Sequence, residues 1–181
     1  MEAGIDEAGR GCLAGPVFAA AVILPAHFRH ARLTDSKVLS EKDRTELRPL
    51  IESEALAWAV ATASAAEIDT VNILQATFLA MHRAVDALSP KPELLLVDGN
   101  RFKPYFGIAH QCFVKGDSRF AAIAAASVLA KTHRDAYMLN LAQKHPQYGF
   151  EKHKGYPTKA HREAIAIYDF CAEHRKTFRC V

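Results

Sequence analysis

The sequence is poor in the features that would place it outside the ordinary globular class. Its four cysteines, Cys12, Cys112, Cys171 and Cys180, are scattered, with no CxxC pair. Neither a zinc site nor a disulfide framework is expected from that spacing, and reduced, mostly buried thiols are the simpler reading. No apolar run reaches the length of a membrane helix, the alanine-rich stretch 120–130 included. The apolar run at 12–24 is broken by Gly and Pro and preceded by Asp6 and Glu7, where a secretion signal carries positive charge. Glycine and proline are sparse, at 9 and 8 of 181 residues, and no repeat or low-complexity tract is present. These absences leave a cytoplasmic globular protein, with residues 1–181 expected to form one domain.

Half of the residues are hydrophobic, enough for a sizeable core. Lys and Arg outnumber Asp and Glu by 23 to 20, a net +3 that suits a polyanionic partner without requiring one. A short strand is expected at 3–6, a second, buried one at 17–24, and a third at 56–63. Ser40 reads as the N-cap of a helix through Glu54, with Pro49 as a kink or interruption. Ser64 and Glu67 form a capping-box pattern before a helix expected at 68–88. A compact apolar strand at 93–97 ends in Asp98-Gly99-Asn100, and 112–114 is the best remaining strand. A long helix is expected from 118 to 144 and a last one after Thr158. Early strands followed by alternating helices and strands give an α/β class, a mixed sheet flanked by helices.

Four acidic residues stand at element ends: Asp6, Glu7, Asp98 and Asp117. If the first and fourth strands are neighbours, Asp6 and Asp98 face each other across their shared ends. Clustered carboxylates repel unless cations lie between them, and hard oxygen donors suit Mg²⁺ or Mn²⁺. Taken singly, each has a plainer reading. Successive strand residues face opposite sides, which counts against Asp6 and Glu7 sharing an ion unless the strand stops at Asp6. Asp98-Gly99 is equally a turn, and Asp117 alone is better read as a helix N-cap. Asp35 reads as a turn residue and Asp135 as a surface helix residue. The combination points to metal-dependent phosphoryl transfer.

Gly9-Arg10-Gly11 lies directly against the acidic pair, where a glycine backbone can approach a ligand and an arginine can grip a phosphate. Basic residues gather around Asp117 (Arg101, Lys103, Lys115, Arg119). A second group comprises Lys144, His145, Lys152, His153, Lys154, Lys159, His161 and Arg162, with Tyr156 among them. An aromatic among cations suits a surface that tracks a nucleic-acid backbone.

Ile5-Asp6-Glu7-Ala8-Gly9-Arg10-Gly11, with Gly15-Pro16 following, resembles the opening signature of the type 2 ribonucleases H. Asp35-Ser36-Lys37, Val97-Asp98-Gly99-Asn100, Lys115-Gly116-Asp117-Ser118, the stretch 124–131, Arg134-Asp135 and His153-Lys154-Gly155-Tyr156 resemble that family's later motifs, in order. The resemblance implies a ribonuclease H-like fold, a five-stranded mixed sheet with helices on both faces and a helical C-terminal part. It implies endonucleolytic cleavage of RNA–DNA hybrids, and nicking 5′ of single ribonucleotides in duplex DNA to leave 3′-hydroxyl and 5′-phosphate ends. Two divalent ions, Mg²⁺ or Mn²⁺, are implied at Asp6, Glu7, Asp98 and Asp117. Gly9, Arg10 and Gly11 match the loop that senses the 2′-hydroxyl, and Tyr156 the tyrosine that packs on the junction sugar. Lys37, Ser127 and Lys131 match motif positions for phosphate contact or site support. A monomer is expected. The neighbouring possibilities are a type 3 ribonuclease H or another two-metal nuclease on the same fold.

Overall fold

A computed structural model describes residues 1–33 and 39–179. Asp35, Lys37 and Cys180 lie outside the described residues. A five-stranded sheet is built from β1 (Glu2–Ala8), β2 (Val17–Ile23), β3 (Ala57–Ala63), β4 (Leu94–Asp98) and β5 (Ala109–Phe113), in the order β3-β2-β1-β4-β5. β1 pairs antiparallel with β2 and parallel with β4, so the sheet is mixed as expected. Every residue of β2 is buried, because apolar layers cover both faces of this interior strand. β5 is an edge strand with the mixed sequence AHQCF. It starts three residues earlier than the expected strand at 112–114 and ends one residue earlier, because an edge strand need not be apolar.

Ser40 caps α1 (Glu41–Glu54) through a hydrogen bond from the Asp43 N–H, and the helix runs unbroken past Pro49. Ser64 and Glu67 complete the expected capping box on α2 (Ala65–Val71). The single helix expected at 68–88 is in fact two. Asn72 takes φ 69° and its side chain accepts from the N–H groups of Leu74 and Gln75, starting α3 (Ile73–Asp86) as a new helix. The long helix α4 spans Ala121–Lys144, three residues later than expected at its start, and a 3₁₀ turn at Gly116–Ser118 precedes it. The chain ends in α5 (Phe150–His153), α6 (Lys159–Tyr168, capped by Thr158) and a non-helical strap, residues 169–179.

α3 packs Phe78, Met81 and Val85 on one sheet face against Ile5, Ile23 and Val97. α1 and α4 cover the other face with Leu47, Ile51, Val128 and Leu129. β1 and α4 meet at Gly4, where a Cβ would lie 2.1 Å from the Ala122 backbone. A third apolar cluster, with Met138, Leu141, Tyr148 and Phe150, ties the end of α4 to the C-terminal helices. Cys12 is buried, whereas Cys112 and Cys171 are only half-buried, and all three are free thiols.

Candidate active site

The β1–β4 ladder ends at Ile5 opposite Val97, whereas β1 stays paired to β2 as far as Ala8. The two parallel strands therefore part at their carboxyl ends, where open α/β sheets commonly take their ligands. β1 does not stop at Asp6, so its last residues keep alternating. Asp6 turns toward α4, on the side of Gly4, and is 3% exposed. Glu7 turns toward the α3 side, where it lines a groove with Thr77, Phe78 and Asn100. Both nevertheless reach one cleft of about 260 Å³, because the cleft straddles the end of the strand and Asp98 closes its other side. Gly9, Arg10, Gly11, Ser127, Lys131 and Tyr156 line the same cleft.

Asp117 is placed differently. It is 4% exposed, lies within the 3₁₀ turn beside the cleft, and does not line it. It is also not the N-cap of α4, a position taken by Phe120. The adjoining Gly116 N–H donates to Asp98 Oδ1 at 2.8 Å, so the turn that carries Asp117 also orients Asp98. Asp135 is more than a surface residue, since its half-buried carboxylate pairs with Lys131 at 2.8 Å.

The acidic wall is electrostatically strained. Burial holds the Asp6 carboxyl well above the ordinary carboxylate range. The charges of Glu7 and Asp98 push it further up, and hydrogen bonds from the Ser127 hydroxyl and the Glu7 N–H pull the other way. Glu7 is drawn to Arg10 at 3.2 Å. Among the described residues, no three His, Cys, Asp or Glu side chains converge tightly enough to hold an ion as they stand. The donor set still fits a hard divalent cation. It offers carboxylate oxygens, one of them buried, with mutual repulsion that a cation would relieve.

The loop wall is organised by two arginines that sequence reasoning did not assign to the site. Arg134, fully buried on α4, donates to the carbonyls of Ala14, Pro16 and Lys154. Its side chain packs so closely on Gly9 (φ +93°) that a Cβ there would lie 2.0 Å from Nε. Arg175, fully buried in the strap, donates to Gly9 O (2.7 Å), Arg10 O (2.8 Å) and Gly15 O (3.0 and 2.8 Å). Neither guanidinium has an ion-pair partner among the described residues. Burial lowers Arg175 to about 10, which still leaves it charged at neutral pH. The Tyr156 ring, 40% exposed, has Lys131 Nζ 5.7 Å and the Arg134 guanidinium 5.9 Å from its centroid.

His153 and His161, expected on a basic surface, are instead structural. The Cys171 N–H donates to His174 Nδ1 (3.0 Å), the two Nε2 atoms of His174 and His161 lie 3.1 Å apart, and His161 Nδ1 reaches Tyr156 O (2.9 Å). Those partners assign the tautomers: His174 donates from Nε2 to His161, and His161 donates from Nδ1 to the carbonyl of Tyr156. His153 stacks on His161 at 4.4 Å.

The ribonuclease HII family model matches residues 3–181 of the chain. The chain belongs to the ribonuclease HII family. A ribonuclease HII from Parabacteroides distasonis is 61% identical over 178 residues, covering 98% of this chain and 89% of that protein. The crystal structure of ribonuclease H2 from Pyrococcus horikoshii OT3 superposes with TM-score 0.85 at 25% identity, covering 99% of this chain and 94% of that one. Bst-RNase HIII in complex with Mn²⁺ shares the fold at TM-score 0.72 and 18% identity, covering 99% of this chain and 67% of its own. The chain is thus an endoribonuclease on a ribonuclease H-like fold, of a family that cuts the RNA strand of RNA–DNA hybrids. No helix among the described residues is long and apolar enough to cross a membrane.

Proposed function

We propose that this chain also nicks duplex DNA on the 5′ side of a single embedded ribonucleotide, leaving 3′-hydroxyl and 5′-phosphate ends. The observation that carries the reading is the shared cleft. Its walls join Asp6, Glu7 and Asp98 to the backbone of Gly9, Arg10 and Gly11 and to the ring of Tyr156. Asp6, Glu7 and Asp98, with Asp117 as a fourth carboxylate, would hold two Mg²⁺ or Mn²⁺ ions. When bound, such ions supply an acidified water and neutralise charge on the scissile phosphate and its leaving oxygen.

The protein's own groups orient the substrate. Backbone amides of residues 9–11 approach the 2′-hydroxyl, the chemical handle that separates a ribose from a deoxyribose. Tyr156 lies against the next sugar, where a deoxyribose fits flush and a 2′-hydroxyl would crowd the ring. Lys131 and Arg10 face the phosphates, and Ser127 supports Asp6. The exposed cations Arg101, Lys152, Lys159 and Arg162 extend the contact along the duplex. In this reading residues 1–181 act as one domain, as a monomer in the cytoplasm.

Product mapping on a DNA duplex with one ribonucleotide tests the proposal. A single metal-dependent nick 5′ of the ribose, abolished by a chelator, is the expected result. Cleavage confined to continuous hybrids would instead favour a type 3 specificity, and digestion from an end would overturn the reading.

A further inference from the structure

The middle of the strap is rich in basic residues, His174-Arg175-Lys176, a composition common on solvent-exposed segments. Arg175 is nevertheless fully buried, and all of its hydrogen bonds go to main-chain carbonyls of the loop beside the acidic residues. Burying a guanidinium is costly unless its donors are satisfied. Here two consecutive carbonyls, Gly9 and Arg10, turn toward it. A trans peptide is planar, with its C=O and N–H antiparallel. The N–H groups of Arg10 and Gly11 must therefore face away from the guanidinium. No loop hydrogen bond among the described residues draws on either of them. Residues 9–11 line the cleft and Arg175 does not, which puts the loop between the arginine and the cleft.

We propose that Arg175 is the positioning residue for ribose selection, fixing the peptide planes of residues 9–11 so that the Arg10 and Gly11 N–H groups are preset toward the 2′-oxygen. The inference rests on the reading of that loop as the 2′-hydroxyl sensor. Arg175 acts through the backbone and never touches the substrate. A lysine cannot replace it, because three donors on one nitrogen at the end of a flexible stem cannot span three carbonyls held in a fixed fan. The strap that carries it is pinned on both sides. The Arg175 N–H donates to Leu13 O and the Gly15 N–H to Glu173 O, both at 2.8 Å. Beyond Arg175, the carboxylate of Asp69 on α2 accepts from the Lys176 and Thr177 N–H groups and from the Thr177 hydroxyl. Asp69 thus holds the arginine in register without entering the cleft.

The test is equilibrium binding in a cleavage-blocked Asp98→Asn background, comparing a DNA duplex with one ribonucleotide to the same all-DNA duplex at one salt concentration. The background protein should prefer the ribonucleotide by on the order of tenfold, the scale of one or two hydrogen bonds. Adding Arg175→Lys should reduce the preference to within about twofold of none, with all-DNA affinity unchanged, because phosphate contacts dominate that affinity. Adding Asp69→Ala, a surface change, should give an intermediate preference. Folding of each variant is checked by circular dichroism, and if the lysine variant does not fold, Asp69→Ala decides. A folded variant that keeps the full preference overturns the assignment, as does a parallel loss on both duplexes. A background protein with no preference removes the 2′-hydroxyl reading itself, and the role of Arg175 falls with it.

Discussion

On the acidic side of the cleft, Asp6, Glu7 and Asp98 project from strands whose main chains are fixed by the sheet ladder. On the loop side, residues 9–16 have one isolated bridge, Ala14 to His174, and are held by a few main-chain hydrogen bonds and by side chains that reach in from distant elements. The first wall has a rigid backbone and unbalanced charge. The second has a backbone that the sheet does not fix, and buried guanidinium charges whose every nitrogen donates a hydrogen bond. In the function proposed above, the contrast separates two tasks: carboxylates at a strand end can await a cation, whereas a loop that tells one hydroxyl from its absence has to be held before the ligand arrives.

The largest effect should follow from breaking the acidic wall. Asp98→Asn keeps the oxygen that accepts from Gly116 but removes the charge, so cleavage should fall on the order of 10³-fold or more while the fold stays intact. The same variant should lose most of the rise in melting temperature that Mg²⁺ or Mn²⁺ gives the parent, because less repulsion remains to be relieved. Near-normal turnover would remove Asp98 from the site. Asp117→Asn should likewise cost far more activity than Asp135→Asn, and the reverse order would exchange their roles.

Breaking the loop wall should cost stability as well as activity. Gly9→Ala places a Cβ on the Arg134 side chain at a φ that other residues rarely adopt. A destabilisation on the order of 2 kcal/mol or more is expected in a denaturant titration. An unaltered midpoint would show that the loop yields easily.

Tyr156 sharpens the comparison without unsettling either wall. Tyr156→Phe should retain much of the activity on a single ribonucleotide, since the ring face is what packs. Tyr156→Ala should lose about 10- to 100-fold more initial rate on that substrate than on a continuous hybrid, the scale of aromatic stacking. Equal losses on both would make Tyr156 a general support.

The smallest effect is a pH dependence carried by the histidine pair that joins α6 to the strap. Burial, with the charge of neighbouring histidines, depresses His161 and brings His174 down to about 4 from an ordinary 6.5. Both imidazoles are neutral in the fold and protonate more readily in the unfolded chain. Their stabilisation is therefore complete above pH 6.5 and lost as pH falls toward about 4. The melting temperature should drop by about 3–6 °C more between pH 7 and pH 5 in the parent than in His174→Gln. Asp6 acts with the opposite sign, since its raised carboxyl favours the fold at low pH, but it is common to both proteins and cancels. Equal drops would mean that the histidine chain contributes nothing.

Much of the fold was legible because its signals are local. The caps at Ser40, Ser64 and Thr158 and the apolar runs of β2, β4 and α4 each state their own structure. The break at Asn72 was also written locally, as an Asn that can cap, but a continuous apolar period across it masked the signal. Only the end of β5 was legible, because its first residues, Ala109-His110-Gln111, carry no apolar run, and a strand at a sheet edge owes little to hydrophobicity. Within the site, the acidic residues and the Gly9-Arg10-Gly11 loop could be picked out as residue types placed at element ends. Arg175 and His174 could not, and Arg134 and His161, though singled out in a motif and a basic cluster, gave no sign of their structural roles. Their partners are mostly carbonyl oxygens, which every residue carries, so no residue type in the sequence marks them.

Arg175 lies 165 and 166 residues along the chain from the carbonyls of Arg10 and Gly9 that it holds. During synthesis every residue that lines the cleft is made before it. The sheet, the carboxylates and α4 can come together while the loop is still unpinned. A nascent or partly unfolded chain would then have its cutting wall in place before its selecting wall. If closing that long loop is the last folding step, as its sequence separation favours, the enzyme acquires its chemistry earlier than its discrimination. Refolding followed by both readouts would show rate on hybrid recovering ahead of preference for the lone ribose.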